Sequence, residues 1–208
     1  MNNSKSKISI IIATKNKGKV KEIKHYLKDL NIRLFSLNDF ENLSEIIEDG
    51  KNFKENSIKK AKITAETFQK LTLADDSGLE VDFLKGAPGV YSSRYSGENA
   101  TDKSNREKLL SELAEVKELN KRTARFVCHL VLWDPSKGPI FETDGICEGN
   151  IGFKEVGDSG FGYDSIFIPK GFNKTMAQLE KDEKNEISHR GKALKSFVEF
   201  MNKNKFFY

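Results

Sequence analysis

Cysteine is nearly absent from this 208-residue chain: Cys128 and Cys147 are the only two. That is too few for a disulfide scaffold or a cysteine-based zinc site. Cys128 lies inside an apolar strand pattern and reads as a small core residue, and a reducing cytoplasm is the expected compartment. Histidine is almost as scarce, with three in the chain. No second histidine stands near a nucleophile, so a Ser-His-Asp hydrolase is a poor reading. Net charge is also small, +4 from 35 basic and 31 acidic side chains. That balance gives no basic coat, and no stable nucleic-acid partner is expected. No uninterrupted apolar run approaches the ~20 residues that cross a bilayer. Residues 1–7 are polar and lack the apolar centre of a secretory leader, so no membrane association is expected. Internal repeats, linkers and low-complexity segments are missing too.

What remains is enough for a core. Hydrophobic residues make up 37% of the chain and include 15 Phe, and the mean hydropathy of −0.57 is low but compatible with burial. The length suits a single domain, or two closely joined lobes. Residues 8–13 form a β-branched apolar run, expected as a strand buried on both faces. A helix follows with Val20, Ile23, Leu27 and Leu30 on one stripe, and then a strand over 31–37. Residues 43–52 read as a polar, acidic loop. A second helix carries Phe53, Ile58, Ala61, Ala65 and Phe68, and a short strand spans 71–75. A helix is expected over 102–119, two long strands over 124–133 and 140–151 joined as a hairpin, a strand over 165–168 and a last helix from Ser188 to about Met201. Alternating strands and helices argue for an α/β fold with a mixed sheet.

Five constellations can carry chemistry. Asp75-Asp76-Ser77-Gly78 ends an apolar run in two neighbouring carboxylates. Their charges repel, so a fold that buries them together supplies something positive, and at the end of a strand that is commonly Mg²⁺ carrying phosphates. A solvated turn is the competing reading. Thr14-Lys15-Asn16-Lys17-Gly18-Lys19 joins a buried strand to a helix start, where free N–H groups and lysines favour anions. It is not a Walker A loop, because the first glycine is missing and Val20 follows Lys19. Glu48-Asp49-Gly50 precedes a helix that sets Asn56 and Lys60 one turn apart, a spacing that can serve a metal and a phosphate together. Gly160-Phe161-Gly162-Tyr163-Asp164 combines close backbone approach with rings that stack on planar ligands. Ser188-His189-Arg190 offers a helix cap beside ring and guanidinium donors, with Lys184 just upstream.

In this order, the motifs resemble the inosine triphosphate pyrophosphatase family, enzymes that clear non-canonical purine nucleoside triphosphates. The resemblance runs from about Lys7 to Phe200 and includes Phe53-Lys54-Glu55-Asn56 and Gly86-Ala87-Pro88-Gly89-Val90-Tyr91-Ser92-Ser93-Arg94-Tyr95-Ser96-Gly97. It implies an elongated mixed sheet flanked by helices, in two lobes with a central cleft, and a homodimer. It implies hydrolysis of ITP, dITP or XTP to monophosphate and pyrophosphate, with Mg²⁺ as cofactor. Thr14, Lys15, Asn16, Lys17, Gly18, Lys19 and Lys60 would then hold the triphosphate. Asp75, Asp76 and Glu48 would place the metal, with Glu45 competing with Glu48, and Asp76 would accept a proton from water. Ser77 would touch the nucleotide. Phe161, Gly162, Tyr163, Asp164, Lys184, His189 and Arg190 would line the base pocket, with Arg94 near the substrate. One departure is Lys15, where many members carry glycine. Two alternatives stand beside this reading: a pyrophosphatase for modified pyrimidine triphosphates, and an RNA-binding module suggested by the lysine content. Alternate strand residues face opposite ways, so Asp75 and Asp76 are expected to do different jobs.

Overall fold

The computed structural model describes residues 7–41 and 46–204, which leaves Glu45 outside the described residues. Strand β1 (Ile8–Ile12) lies between β2 (Ile32–Ser36) and β3 (Leu71–Val81), parallel to both, with Ile10 opposite Leu34 and Leu71. The chain then forms β4 (Thr123–Asp134), β5 (Gly138–Ile151) and the short β6 (Phe167–Pro169), antiparallel to β5. The sheet order is β2-β1-β3-β4-β5-β6. This is the expected mixed sheet flanked by helices: α1 (Lys17–Tyr26), α2 (Phe53–Phe68), α3 (Asp102–Glu112), α4 (Lys181–Ile187) and α5 (His189–Lys203).

The chain divides into two compact units. The first holds residues 1–76, 129–144 and 193–208, and the second holds 77–128 and 145–192. In the first, Ile10, Ile11 and Ile12 of β1 are buried, as are Ile23, Leu27, Leu73 and Phe197. Ala13, Ala61, Ala74 and Val131 form a cluster of small buried side chains, so α2 approaches the sheet closely. In the second, Leu79, Val81, Leu109, Phe126, Ile151, Tyr163, Ile166 and Phe167 form the core. Arg122 is buried there and donates to the carbonyls of Leu113, Val116, Ile151 and Gly152. Among the described residues, no helix is long and apolar enough to cross a membrane.

Three expectations need correction. The strand that carries Asp75-Asp76 does not stop there: β3 continues to Val81. Both carboxylates have cationic partners (below), and beyond them Leu79 and Val81 give the strand a second buried segment. The helix expected over 102–119 closes at Glu112. The Leu113 carbonyl accepts from the Val116 N–H in a tighter turn at 3.0 Å, and the carbonyls of Leu113 and Val116 accept from Arg122 at 2.8 and 3.2 Å. Strand β6 starts two residues late, because the N–H groups of Ile166 and Phe167 turn back to the Tyr163 carbonyl, each at 3.1 Å.

Candidate active site

The buried face of α2 is unusual in its chemistry. Phe53, Asn56, Ser57, Lys60, Ala61, Thr64 and Ala65 recur at helical spacing and are all buried, yet four of them are polar. Burying an amide and an ammonium is costly unless each is paired, so this face must meet polar partners. Asn52 caps the helix by accepting from the Glu55 N–H at 2.8 Å. One turn later Asn56 spans two elements. Its Oδ1 accepts from the Gly50 N–H at 2.7 Å, and its Nδ2 donates to Asp76 Oδ2 at 3.0 Å.

Lys60 sits one turn beyond Asn56. Its Nζ lies 2.8 Å from the Asp75 carbonyl oxygen, 3.1 Å from Glu48 Oε1 and 3.4 Å from Asp76 Oδ1. Asp75 turns to another helix, with Oδ2 3.1 Å from Lys19 Nζ on α1. The two adjacent carboxylates therefore serve different cations, as alternation along a strand requires. Lys19 also anchors its own turn: its N–H donates to Asn16 Oδ1 at 3.0 Å, and the Asn16 N–H donates to Thr14 Oγ1 at 3.2 Å. Lys15, Asn16 and Lys17 are exposed, while Thr14, Gly18 and Lys19 are half-buried.

Asp75 pairs with Lys19, and Glu48 and Asp76 both lie against Lys60, so carboxylates and ammonium groups are interleaved here. Burial pulls the Lys60 pKa down, but Asp76, Glu48 and Asp75 outweigh it, and the ammonium stays charged with its pKa raised. Asp76 is also raised: burial comes first, Glu48 adds to it, and Lys60, Lys19 and the Asn56 hydrogen bond pull the other way without prevailing. Among the described residues no three His, Cys, Asp or Glu side chains converge as a ready-made metal cage. The donors that do converge, on the Lys60 ammonium, are all oxygens, two of them from carboxylates, the donor type a hard divalent cation takes.

Behind α2, Ser57 Oγ meets His129 Nδ1 at 2.6 Å, and Glu142 lies 3.6 Å from Nε2. This resembles a nucleophile with its base but presents none. Ser57 donates its proton to the Lys54 carbonyl at 3.0 Å, and serine and histidine are both buried. Burial also lowers the His129 pKa, against the pull of Asp144 and Glu142.

The second unit assembles another constellation. Ser188 caps α5 by accepting from the Gly191 N–H at 3.0 Å. This fixes the first turn, where the His189 ring stacks on Phe126 at 4.8 Å and Arg190 Nη2 donates to Ser77 Oγ at 2.7 Å. The Phe161 ring lies 5.4 Å from Lys184 Nζ and 5.9 Å from the Arg190 guanidinium. Asp164 Oδ2 accepts from Lys184 at 2.8 Å and from the Phe161 N–H at 2.9 Å. Gly160, at φ +84°, leaves room that a β-carbon would take from the Asp164 carboxylate. Two expected residues fall elsewhere. Tyr163 belongs to the hydrophobic core and donates to the Ser92 carbonyl at 2.9 Å. Arg94 is exposed, lies over the Tyr91 ring at 5.1 Å and borders a separate surface cavity with Tyr95 and Lys108.

Sequence reasoning placed Asn56 near the site but left it out of the binding set, although an asparagine at a core-spaced helix position one turn before Lys60 is a visible signal. It missed Ser57 and His129, which lie far apart in sequence.

A sequence model of the Ham1 family matches residues 10–200. The chain is 47% identical to a dITP/XTP pyrophosphatase of Desulforamulus reducens, over 94% of this chain and 96% of that one. It is 51% identical to a dITP/XTP pyrophosphatase of Desulfotalea psychrophila, over 89% and 81%. Among solved structures, a HAM1 protein from Coxiella burnetii superposes with a TM-score of 0.85 at 38% identity, covering 94% of this chain and 99% of that one. The Staphylococcus aureus Ham1 protein gives 0.83 at 38% identity, covering 95% and 100%.

Proposed function

The chain belongs to the Ham1 family, and on that premise we propose that it hydrolyses non-canonical purine nucleoside triphosphates, ITP, dITP and XTP, to the monophosphate and pyrophosphate. The observation that carries the chemistry is the buried set of Asp76, Lys60 and Asn56, one peptide before Ser77. Asp76 accepts the proton of the attacking water. Its raised pKa makes it a stronger base than an ordinary aspartate, and Asn56 fixes its carboxylate plane. Lys60, Lys19 and the helix start after Asn16 stabilise the charge that grows on the phosphates. Glu48, Asp75 and Asp76 would hold Mg²⁺, which when bound would neutralise phosphate charge and assist water activation.

The base falls to the second constellation. Phe161 offers a stacking face, and donors at His189 and Arg190 pair with the purine O6 that inosine and xanthine present. Adenine presents an amine there and leaves those donors unpaired. Sites that read hydrogen bonds discriminate by about 10⁴ or more. Ser77, fixed by Arg190, contacts the nucleotide, and Lys184 with Asp164 braces the loop. We also propose a homodimer, which rests on the family resemblance, in a reducing cytoplasm, which two buried free thiols suit.

Hydrolysis in ¹⁸O-water tests the reaction. Attack on the α-phosphorus puts the label in the nucleoside monophosphate. Label in pyrophosphate, or release of orthophosphate as first product, refutes it.

A further inference from the structure

Helix α3 contacts the base-site loop through Gly162. Asp102, its first residue, accepts from the Gly162 N–H through Oδ2 at 2.7 Å. Arg106, one turn later, donates from Nη1 to the Gly162 carbonyl at 2.8 Å. Residues four apart share a helix face, so one face of α3 grips both polar groups of a single loop residue. Gly162 itself stands at φ +60°, in the left-handed region. Arg106 is in turn fixed: its Nη2 lies 2.9 Å from Glu155 Oε2, and that oxygen also accepts from Ser165 Oγ at 3.2 Å. Both bonds to Gly162 involve a charged partner, the stronger kind of hydrogen bond.

The loop needs such a grip. A cavity of about 480 Å³ lies against it, lined by Asp102, Arg106, Glu155, Phe161, Gly162 and Asp164. On that side the loop is backed by space rather than by packed side chains. Hydrogen bonds therefore decide where it rests. The next residue back is Phe161, the ring near Lys184 and Arg190. A shift of the Gly162 peptide moves that ring directly, and recognition geometry tolerates only about 0.5 Å of error.

We propose that Asp102 and Arg106 are positioning residues for base selection: they set the Phe161 platform by clamping Gly162, and touch no substrate. This rests on the reading of the second constellation as the base site. The test measures kcat and KM for ITP and for ATP with the full-length wild type, Asp102→Ala, Arg106→Ala and Asp102→Asn. Each alanine variant lowers the ITP-over-ATP ratio of kcat/KM about tenfold, as expected for losing one charge-assisted hydrogen bond. The loss lies in KM for ITP, with kcat within about threefold of wild type. Asp102→Asn keeps a carbonyl acceptor and keeps most of the ratio. Thr101 and Ser104 cap α3 by themselves, and if Asp102→Ala fails to fold, Arg106→Ala decides alone. Wild-type preference intact in the alanine variants overturns this proposal and leaves the parent reading standing. A loss confined to kcat, with the ratio unchanged, overturns it equally. A wild-type enzyme with no base preference overturns the parent reading and this one with it.

Discussion

Replacing Asp76 with asparagine separates catalysis from stability. The amide has nearly the shape of the carboxyl, so its oxygen can still accept from Asn56 Nδ2, 3.0 Å away in the native site. What disappears is the negative charge, and with it the proton acceptor. General-base removal of this kind costs about 10²–10⁴ in turnover, and that loss is predicted in kcat for ITP. Stability moves differently. The folded-state pKa of Asp76 is raised above its ordinary value, so the fold prefers the neutral form. At low pH the group is protonated both folded and unfolded, and it behaves like the amide. As pH rises past the ordinary carboxylate range, the unfolded chain ionises more readily than the folded one, and the wild type loses stability. Asparagine escapes that loss. Against it stands one altered contact with Lys60, worth about 1 kcal/mol, while Lys60 keeps Glu48 and the Asp75 carbonyl. For a chain of this size 1 kcal/mol reads as about 2–4 °C in melting temperature. The variant should therefore melt within about 4 °C of wild type, and its melting temperature relative to wild type should rise between pH 4 and pH 8. Parallel assays of pyrophosphate release and thermal unfolding decide the matter. Near-normal turnover shows that Asp76 is not the proton acceptor. A relative melting temperature that falls with pH refutes the charge argument.

Further outcomes follow from the same contacts. Asn56→Ala strands the Gly50 N–H and Asp76 Oδ2, both held by Asn56 at present. At about 1–3 kcal/mol for the buried Asp76 oxygen and less for the half-buried Gly50 N–H, urea unfolding should shift clearly and turnover should fall with it. His189→Ala and Arg190→Ala should erode the ITP-over-ATP preference more than they slow ITP itself, and unchanged ratios in steady-state kinetics remove both from base reading. Arg122→Met leaves four carbonyls without their guanidinium donor. It should cost more than about 3 kcal/mol in denaturant unfolding while the folded fraction keeps its substrate ratio.

Much of this was legible in the chain. The β-branched run at Ile8–Ile12, the stripe through Ile23 and Leu27, and the hairpin of β4 and β5 follow from periodicity, because burial on one or two faces writes itself into local spacing. That the Asp75 and Asp76 side chains meet different lysines followed from strand alternation. The end of α3 did not, because Arg122 claims its carbonyls from beyond the helix. Helix α4 had no apolar stripe to reveal it, and none of its residues is buried. Tyr163 looked like a pocket aromatic because a ring beside two glycines reads the same locally whether it stacks on a ligand or fills a core. The clamp on Gly162 joins residues about sixty positions apart, and no local pattern announces it.

The central claim, that the chain hydrolyses purine triphosphates bearing a 6-oxygen in preference to those bearing a 6-amine, is tested most directly by a substrate panel. Pyrophosphate release would be followed with Mg²⁺ and ITP, dITP, XTP, GTP, ATP and the pyrimidine triphosphates, each at matched low concentration so that rates report kcat/KM. The account predicts ITP, dITP and XTP ahead of ATP and the pyrimidines by orders of magnitude. A pyrimidine triphosphate at the head, or ATP level with ITP, would contradict it.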